Sequence, residues 1–204
     1  MRKGVDADMK IIAATKNKGK IKEIGEMLGK LGFEIVSQQE AGYDVDVLET
    51  GDTFEKNALI KARAIAMLCD DPVLADDSGL CIDALDGRPG VFSARYAGEN
   101  AENSEKIKKV LSEMEGVTDR SAKFVTAAAF IFPNGKEIVA RGEVSGEIML
   151  EPHGENGFGY DPIFFSHELG KTFAEATDEE KNSVSHRGRA LHALGAKLEA
   201  YLNE

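Results

Sequence analysis

The first third of the chain alternates strand-like apolar runs with helical patterns, and this alternation favours an α/β fold. Lys10 to Thr15 has the composition of a β-strand. The segment after it repeats large apolar side chains at the spacing of a helix: Ile21, Ile24, Leu28 and Leu31. Because residues three and four positions apart share one side of a helix, the two segments predict a strand–loop–helix unit.

Further strands and a second helix continue the pattern. Phe33 to Ser37 predicts a strand, and Asp52 with Glu55 forms a capping-box pattern for a helix that runs towards Cys69. Val73 to Ala75 predicts a buried strand that stops at a pair of aspartates. The two carboxylates are therefore expected at a strand end.

The second half of the chain contains a clear hairpin signal. Leu80 to Leu85 predicts another strand, and Ser104 to Glu115 predicts a helix. Two longer strand patterns, Lys123 to Phe132 and Glu137 to Val144, then flank the turn Pro133-Asn134-Gly135. The last helix carries an apolar face made of Leu191, Leu194, Leu198 and Leu202. A hairpin added to a strand–loop–helix unit predicts an α/β fold with a mixed β-sheet.

The length of the chain is suited to one domain. Its 204 residues can bury one substantial core, or two lobes that share a cleft, but are too few for two independent enzymes. Structure-like patterning begins at Met9, so residues 1–8 are expected to form a disordered extension and residues 9–204 the domain.

The charge balance excludes some classes of partner. The chain has 36 Asp and Glu against 25 Lys and Arg, which gives a net charge of −11. Such a surface repels a polyanion, so we do not expect nucleic acid as a partner. A small anionic ligand is compatible with this charge, because one pocket can gather a few lysines and a divalent cation.

Cysteine usage and hydropathy point to the cytoplasm. Cys69 and Cys81 have no CxxC spacing and no neighbouring histidines, so neither a disulfide framework nor a zinc site is predicted. The apolar runs are too short to span a bilayer, and Met1 to Asp8 lacks the apolar core of a secretory signal. We therefore expect a cytoplasmic protein without a membrane partner.

The first segment that could carry chemistry is the loop before the first predicted helix. It reads Thr15, Lys16, Asn17, Lys18, Gly19 and Lys20. Free N–H groups at a helix N-terminus, together with lysines, hold phosphate. The loop is not a Walker A sequence, because Ile21 stands where that pattern needs Ser or Thr. Asn17 as a simple helix cap beside solvated lysines explains the same residues.

The second segment is Asp76-Asp77-Ser78-Gly79, with Glu49 available from the preceding acidic loop. Neighbouring carboxylates at the end of a buried strand suit Mg²⁺, which takes a few carboxylates and fills its shell with water and substrate phosphate. A plain turn is the alternative, since Asp, Ser and Gly are common turn residues.

The third segment is a glycine-rich loop that contains Phe158, Gly159, Tyr160 and Asp161. Glycine lets a backbone approach a planar ligand, an aromatic ring can stack on a base, and a carboxylate can accept from a ring N–H. The alternative is a loop anchored by aromatic residues of the core.

The fourth segment gathers basic residues at the start of the last helix: Lys181, His186, Arg187 and Arg189. Ser185 is suited to cap this helix, which would place His186 and Arg187 in the first turn, where positive side chains oppose the helix dipole. That placement suggests a nearby anion or acceptor. Solvated basic residues are the alternative, and the other histidines lack the spacing of metal ligands.

The order and amino-acid sequence of these segments closely resemble the inosine triphosphate pyrophosphatase family, the non-canonical purine NTP pyrophosphatases. The resemblance runs from Met9 to the C-terminal helix. It includes four further motifs: Glu49-Thr50-Gly51, Asn57-Ala58 with Lys61-Ala62, Pro89-Gly90 with Ser93-Ala94-Arg95-Tyr96, and Gly170-Lys171-Thr172. Lys16 departs from the family, in which many members have Gly.

The resemblance implies a fold, an activity and an assembly. The fold is a long twisted mixed sheet flanked by helices, with two lobes and a central nucleotide cleft, usually in a homodimer. The activity is Mg²⁺-dependent hydrolysis of ITP, dITP, XTP and dXTP to the monophosphate and pyrophosphate, which cleanses the nucleotide pool.

The resemblance also implies residue roles. Thr15 to Lys20 would cradle the triphosphate, and Glu49 and Asp77, with Asp76 beside it, would hold the metal. Ser78 would touch substrate. The remaining substrate-binding residues would be Phe158, Gly159, Tyr160, Asp161, Lys181, His186 and Arg187.

Chemistry assigns a mechanism to these residues. Attack on the α-phosphorus needs charge neutralisation, from magnesium and Lys20, and a positioned water. We predict Asp77 as general base and Glu49 and Asp76 as its metal-binding neighbours, with exchange of the base and ligand roles as the alternative. His186 or Arg187 could donate to the 6-keto oxygen of hypoxanthine or xanthine, and adenine would present an amino group there instead. The alternatives are a Maf-like pyrophosphatase acting on other nucleotides and a nucleotide sensor without turnover.

Overall fold

The computed structural model describes residues 10–29 and 32–203 of the chain. The predicted extension, residues 1–8, and Leu31 of the first helical face lie outside this part. The described residues form two compact units. The first lies within Met1–Asp77, Thr126–Gly142 and Arg187–Glu204, and the second comprises Ser78–Val125 and Glu143–His186.

In the part of the chain that the structure describes, seven strands form one sheet in the order β2-β1-β3-β4-β5-β6-β7. The strands are β1 Lys10–Ala13, β2 Glu34–Ser37, β3 Val73–Ile82, β4 Ser121–Ile131, β5 Glu137–Ile148, β6 Phe164–Ser166 and β7 Lys171–Thr172. Strand β1 runs parallel to both β2 and β3, whereas β6 runs antiparallel to both β5 and β7. The predicted mixed sheet is confirmed.

Among the described residues, five α-helices accompany the sheet: α1 Lys18–Gly29, α2 Phe54–Ala66, α3 Asn103–Glu113, α4 Asp178–Val184 and α5 His186–Leu202. Short 3₁₀ helices cover Asp83–Leu85, Gly90–Arg95 and Asp161–Ile163. The predicted hairpin forms where expected, since the Phe132 amide donates to the Lys136 carbonyl at 2.9 Å between β4 and β5. No helix within residues 10–29 and 32–203 combines the length and the apolar character needed to cross a membrane.

The first unit has its own apolar core. Leu74 of β3 packs there with Ile11 of β1, Ile24 of α1 and Leu191 of α5. Successive side chains of a strand point to opposite faces, so Leu74 and Asp76 share the face of β3 that α1 and α5 cover. Asp77 lies on the other face of the strand.

The second unit is built around a separate cluster rich in aromatic residues. Phe124 of β4 lies 4.6 Å from the Phe164 ring and 5.9 Å from the Phe173 ring, measured between centroids. Ile107 and Val110 of α3 pack into the same cluster. Each unit therefore holds its own elements in place by burying apolar side chains.

The prediction that the aspartate pair ends a strand is wrong. Strand β3 is continuous through Asp76 and Asp77 to Ile82, so Leu80–Leu85 is not a separate strand. β1 ends at Ala13, which pairs with Leu74, and β3 therefore continues beyond the end of its neighbour. The turn-like composition misleads because partners from α1, α2 and α5 satisfy these carboxylates within the strand.

The predicted cap of α2 is displaced by one residue. Thr53, not Asp52, is the N-cap, and its hydroxyl accepts from the Lys56 amide at 3.2 Å. Asp52 instead pairs with the Lys56 ammonium at 2.6 Å. Both residues suit the start of a helix, and the polar pattern alone did not distinguish them.

Candidate active site

The loop from β1 to α1 has the structure of a helix N-terminus. The Asn17 side-chain oxygen accepts from the backbone amides of Gly19 at 2.9 Å and Lys20 at 3.3 Å. The Thr15 hydroxyl accepts from the Asn17 amide at 3.2 Å. Asn17 thus caps α1, as the simpler interpretation of this loop required, and Lys18 is exposed.

The two lysines that flank this cap have different surroundings. Lys16 is partly exposed and pairs at 2.7 Å with both Asp44 and Asp46 of the acidic loop. Lys20 is mostly buried, and its ammonium lies 3.1 Å from an Asp76 carboxylate oxygen. Burial lowers the pKa of Lys20, and the attraction of Asp76 does not fully offset this effect.

Asp76 belongs to a buried charge cluster. The Arg187 guanidinium donates to Asp76 Oδ2 from Nε at 3.2 Å and from Nη2 at 3.1 Å, and it also pairs with Glu23 of α1. Both Asp76 and Arg187 are 1% exposed. Burial opposes the charge on Arg187, but Asp76 and Glu23 outweigh it and raise the pKa of the guanidinium.

This cluster bears on two expectations, the metal role of Asp76 and the base contact of Arg187, which both stay predictions. Asp76 faces Lys20 and Arg187 on one side of β3, so it does not join Glu49 and Asp77 in a group of three carboxylates. In the described ranges no group of three or more acidic, His or Cys side chains is placed to hold a metal ion. Arg187, expected to contact the base, instead directs its guanidinium at Asp76 and Glu23.

Asp77 faces α2 on the opposite side of the strand. Its Oδ1 lies 3.2 Å from the Lys61 ammonium, and its Oδ2 accepts from the Asn57 side-chain amide at 3.1 Å. Glu49 reaches the same ammonium at 2.7 Å. Burial raises the pKa of Asp77, although Lys61 and Lys20 oppose that rise. A carboxylate with a raised pKa is a better proton acceptor.

Lys61 had no assigned role in the sequence, although the motif that contains it was part of the family resemblance. Burial disfavours its charge, but Asp77, Asp76 and Glu49 together raise its pKa. Its position four residues after Asn57 places both side chains on one face of α2, and this spacing was the available signal.

The residues Glu49 and Asp77 fit a divalent cation. Their carboxylates both contact one positive group, the Lys61 ammonium, so the two side chains present negative oxygens to the same point. Mg²⁺ is commonly held by one or two carboxylates together with water and substrate phosphates. The chemistry of the pair therefore matches the metal that the resemblance implied.

The glycine-rich loop of the second unit is organised by Asp161. This carboxylate is 2% exposed, and its Oδ2 accepts from the Phe158 amide at 2.8 Å and from the Lys181 ammonium at 2.7 Å. The ammonium also lies 4.8 Å from the centre of the Phe158 ring. Gly157 has a φ of 73°, and a Cβ there would lie 2.2 Å from Asp161 Oδ2.

Tyr160 behaves as an anchor of this loop. Its ring is part of the buried aromatic cluster, and its hydroxyl donates to the Ser93 carbonyl at 2.9 Å. Burial raises the pKa of Tyr160. The loop is thus fixed by core contacts at Tyr160, whereas Phe158 and Gly159 lie in its turn.

Ser78, the other predicted substrate contact, is half-buried in β3.

His186 lies among aromatic rings. Its imidazole stacks on Phe124 at 4.6 Å between centroids and 12° between planes, and it is 4% exposed. Lys181 and Arg187 are buried as well, so the alternative of solvated basic residues does not hold for these three. Arg189, by contrast, is exposed.

A mixed sheet whose first unit gathers lysines and carboxylates beside a helix N-terminus defines an α/β protein equipped to bind an anionic ligand. The model of the Ham1 family matches residues 11–197. The chain belongs to the Ham1 family.

Relatives of known name agree with this assignment. The chain is 49% identical over 191 residues to the dITP/XTP pyrophosphatase of Bacillus subtilis, covering 93% of this chain and 96% of that one. It is 51% identical over 190 residues to the dITP/XTP pyrophosphatase of Halalkalibacterium halodurans, covering 92% of this chain and 98% of that one. The family predicted from the motifs is therefore confirmed.

Solved structures agree as well. The Ham1 protein of Staphylococcus aureus superimposes with a TM-score of 0.83 at 43% identity, covering 94% of this chain and 99% of that one. The HAM1 protein of Coxiella burnetii gives a TM-score of 0.82 at 44% identity, covering 96% and 98%. The α/β fold class is confirmed.

Proposed function

We propose that the protein hydrolyses non-canonical purine nucleoside triphosphates, such as ITP, dITP, XTP and dXTP, to the nucleoside monophosphate and pyrophosphate. The observation that carries this proposal is the placement of Asp77. Its buried carboxylate has a raised pKa and shares the Lys61 ammonium with Glu49. The names of the relatives, dITP/XTP pyrophosphatases, support the same substrates.

In this mechanism the first unit binds the phosphates. The capped N-terminus of α1 offers backbone N–H groups, and Lys20 and Lys61 supply positive charge close to the carboxylates. The two lysines neutralise charge on the phosphoryl oxygens as the reaction proceeds, which is the main demand of phosphoryl transfer. For Lys16 to bind phosphate, its ammonium must leave Asp44 and Asp46.

Asp77 acts as the general base. It takes a proton from a water molecule, whose oxygen attacks the α-phosphorus while the bond between the α-phosphorus and the bridging oxygen breaks. The leaving group is pyrophosphate. Asp77 forms no covalent bond to the substrate in this step, so what it needs is a fixed position. Its contacts with Asn57 and Lys61 provide that position.

We propose Mg²⁺ as the metal, held by Glu49 and Asp77. When bound, the ion supplies further neutralisation of the triphosphate and lowers the pKa of coordinated water. Asp76 is not assigned to the metal, because its partners are Lys20 and Arg187.

Base recognition is assigned in this proposal to the surroundings of His186 and Phe158. His186 is the candidate donor to the 6-keto oxygen, since Arg187 is engaged by two carboxylates. Phe158 is the candidate stacking partner, and Lys181 and Asp161 hold its loop. An adenine amino group would meet a donor where it needs an acceptor, and such a mismatch can reduce kcat/KM by about 10⁴ to 10⁵.

A panel of nucleoside triphosphates tests the function. With Mg²⁺, we expect ITP and XTP to give monophosphate and pyrophosphate, with ATP, dTTP and UTP turned over poorly, and GTP is measured beside them. Appearance of IDP and orthophosphate would refute the mechanism, and preference for dTTP or UTP would favour the Maf-like alternative. Tight binding without pyrophosphate release would indicate a sensor.

Two variants separate base recognition from phosphate binding. His186→Ala should lower kcat/KM for ITP and XTP by about 10- to 100-fold and change the slow ATP reaction little, because the lost hydrogen bond is worth about 1.5–3 kcal/mol. Lys20→Ala should depress all four purine substrates together. An unchanged ratio of ITP to ATP in His186→Ala would remove this histidine from base recognition.

Assembly and location are further parts of the proposal. We expect a homodimer, as the family resemblance implied, and a location in the cytoplasm, as cysteine usage and hydropathy indicated. Light scattering coupled to size exclusion measures the assembly directly.

A further inference from the structure

Asn57 is a polar side chain that is completely buried inside a helix. It is the fourth residue of α2 and is 0% exposed. Asn is a poor helix former, and burying an amide without hydrogen bonds costs several kcal/mol on hydrocarbon scales. Its presence at this point therefore calls for partners that only an amide can satisfy.

The partners fix the orientation of the amide. The Asn57 side-chain NH₂ donates to Asp77 Oδ2 at 3.1 Å, and its side-chain oxygen accepts from the Gly51 backbone amide at 2.8 Å. A carboxylate accepts and a backbone N–H donates, so only one of the two amide orientations satisfies both bonds. One side chain thus ties Asp77 to the backbone two residues after Glu49.

The contact with Gly51 requires a glycine. A Cβ at position 51 would lie 2.6 Å from the Asn57 side-chain oxygen and 2.8 Å from the Lys56 Cβ. Any larger residue would push the loop or the amide away. The approach of this loop to α2 is therefore built for the hydrogen bond between Gly51 and Asn57.

Helix α2 supplies partners for both oxygens of Asp77. Asn57 takes Oδ2, and Lys61, one turn later, takes Oδ1 at 3.2 Å. Rotation of the carboxylate would break both bonds. The Lys61 ammonium balances the negative charge of the Asp77 carboxylate. The Asn57 amide fixes the orientation of that carboxylate, since its N–H groups lie in one plane.

We propose that Asn57 is a positioning residue for the reaction: it orients the Asp77 carboxylate and holds the backbone beside Glu49 in place. The inference rests on the proposed role of Asp77 as general base. A misplacement of about 1 Å at a reacting group can cost about 10²-fold in rate. Loss of Asn57 is therefore expected to lower kcat by about 10- to 100-fold while the phosphate-binding lysines are retained.

The test compares Asn57→Ala with a matched variant, Gln38→Ala. Gln38 is another buried amide of the first unit, and it donates to the carbonyls of Tyr43 and Val45. For each protein, kcat and KM with ITP, the Kd for inorganic tripolyphosphate and the free energy of unfolding are measured. We expect Asn57→Ala to lose kcat with a nearly unchanged Kd, and Gln38→Ala to lose stability without the selective loss of kcat.

A second variant keeps the test decisive if Asn57→Ala does not fold. Gly51→Ala leaves Asn57 and Asp77 in the chain but displaces the amide, and it should show the same loss of kcat at retained tripolyphosphate affinity. The inference is overturned if a folded variant at either position retains kcat, or if kcat and tripolyphosphate affinity fall together. If the wild-type protein does not hydrolyse ITP, the proposed function is wrong. If the wild type is active and the variants are equally active, only the role of Asn57 is wrong.

Discussion

At the scale of single residues, Asp76 and Asp77 are adjacent in sequence but have separate surroundings. Asp76 meets Arg187 and Lys20, and Asp77 meets Asn57 and Lys61. Alternation along β3 explains the difference, since neighbouring side chains of a strand leave opposite faces. Replacement of the two carboxylates is therefore expected to have different effects on turnover and on stability.

Asp77→Asn keeps the size of the side chain and removes the basic oxygen. Turnover of ITP should fall by about 10² or more with folding retained, because general base catalysis typically contributes about 10²–10⁴. Asp76→Asn should instead lower the free energy of unfolding, since Arg187 and Lys20 lose an opposing charge. The measurements are kcat and urea unfolding for both variants, and near-normal turnover in Asp77→Asn would refute its assignment.

Arg187→Ala should destabilise the protein strongly. Removing one partner of a buried ion pair leaves the others without their counter-charge, which costs about 3–5 kcal/mol. Asp76 and Glu23 would be affected together. Arg189→Ala is the control, because Arg189 lies two residues further along α5 and is exposed. Equal free energies of unfolding for the two variants would contradict a structural role for Arg187.

At the scale of elements, the sequence predicted those parts whose signals are local. The hairpin of β4 and β5 follows from its turn residues, and α5 follows from its regular leucines. Strand β3 was cut short because its Asp-Asp-Ser-Gly composition is typical of a turn. The charges that allow β3 to continue come from distant segments, such as Arg187, which is 111 residues from Asp76.

The same distinction applies to the site. The loop from β1 to α1, Glu49 and Asp77 are predicted from motifs, but the pairing of Glu23 with Arg187 spans 164 residues and has no local signal. Asn57 and Lys61 were visible only as a motif, and their common target is set by the packing of α2 on β3. Long-range partners of this kind are decided by tertiary contacts, which a local pattern does not contain.

The glycine-rich loop offers a prediction at this scale. Gly157→Ala would bring a Cβ to 2.2 Å from Asp161 Oδ2, whereas Gly159→Ala meets no atom within 4 Å. Both glycines have positive φ, at 73° and 66°, so both variants carry similar backbone strain. Gly157→Ala should lose about 1.5–3 kcal/mol more free energy of unfolding, because it disturbs the charged hydrogen bonds of Asp161. Equal losses in urea unfolding would show that the contact is unimportant.

At the scale of the whole molecule, the net charge of −11 contrasts with the buried lysines of the first unit. Lys20 and Lys61 are each matched to nearby carboxylates, so their charge acts over a short distance. A flexible polyanion meets the acidic surface as a whole, whereas a small triphosphate needs only the pocket.

This contrast predicts no affinity for nucleic acid. Labelled single-stranded DNA should show no change in anisotropy at about 0.15 M salt, under conditions where basic proteins bind non-specifically with Kd of about 10⁻⁴–10⁻⁶ M. Inorganic tripolyphosphate is the matched small anion and should bind. Comparable binding of DNA would contradict the prediction.

The alternation of β3 has a consequence for how the sequence can change. Loss or gain of a single residue between Val73 and Asp76 would shift the frame of the strand and exchange the faces of the two aspartates. The carboxylate that now neutralises Arg187 would then turn towards α2, and the other would turn towards α5. Both residues would still be Asp, yet the proposed base and the structural anion would have exchanged places. The length of the strand before the aspartates is therefore not free to change.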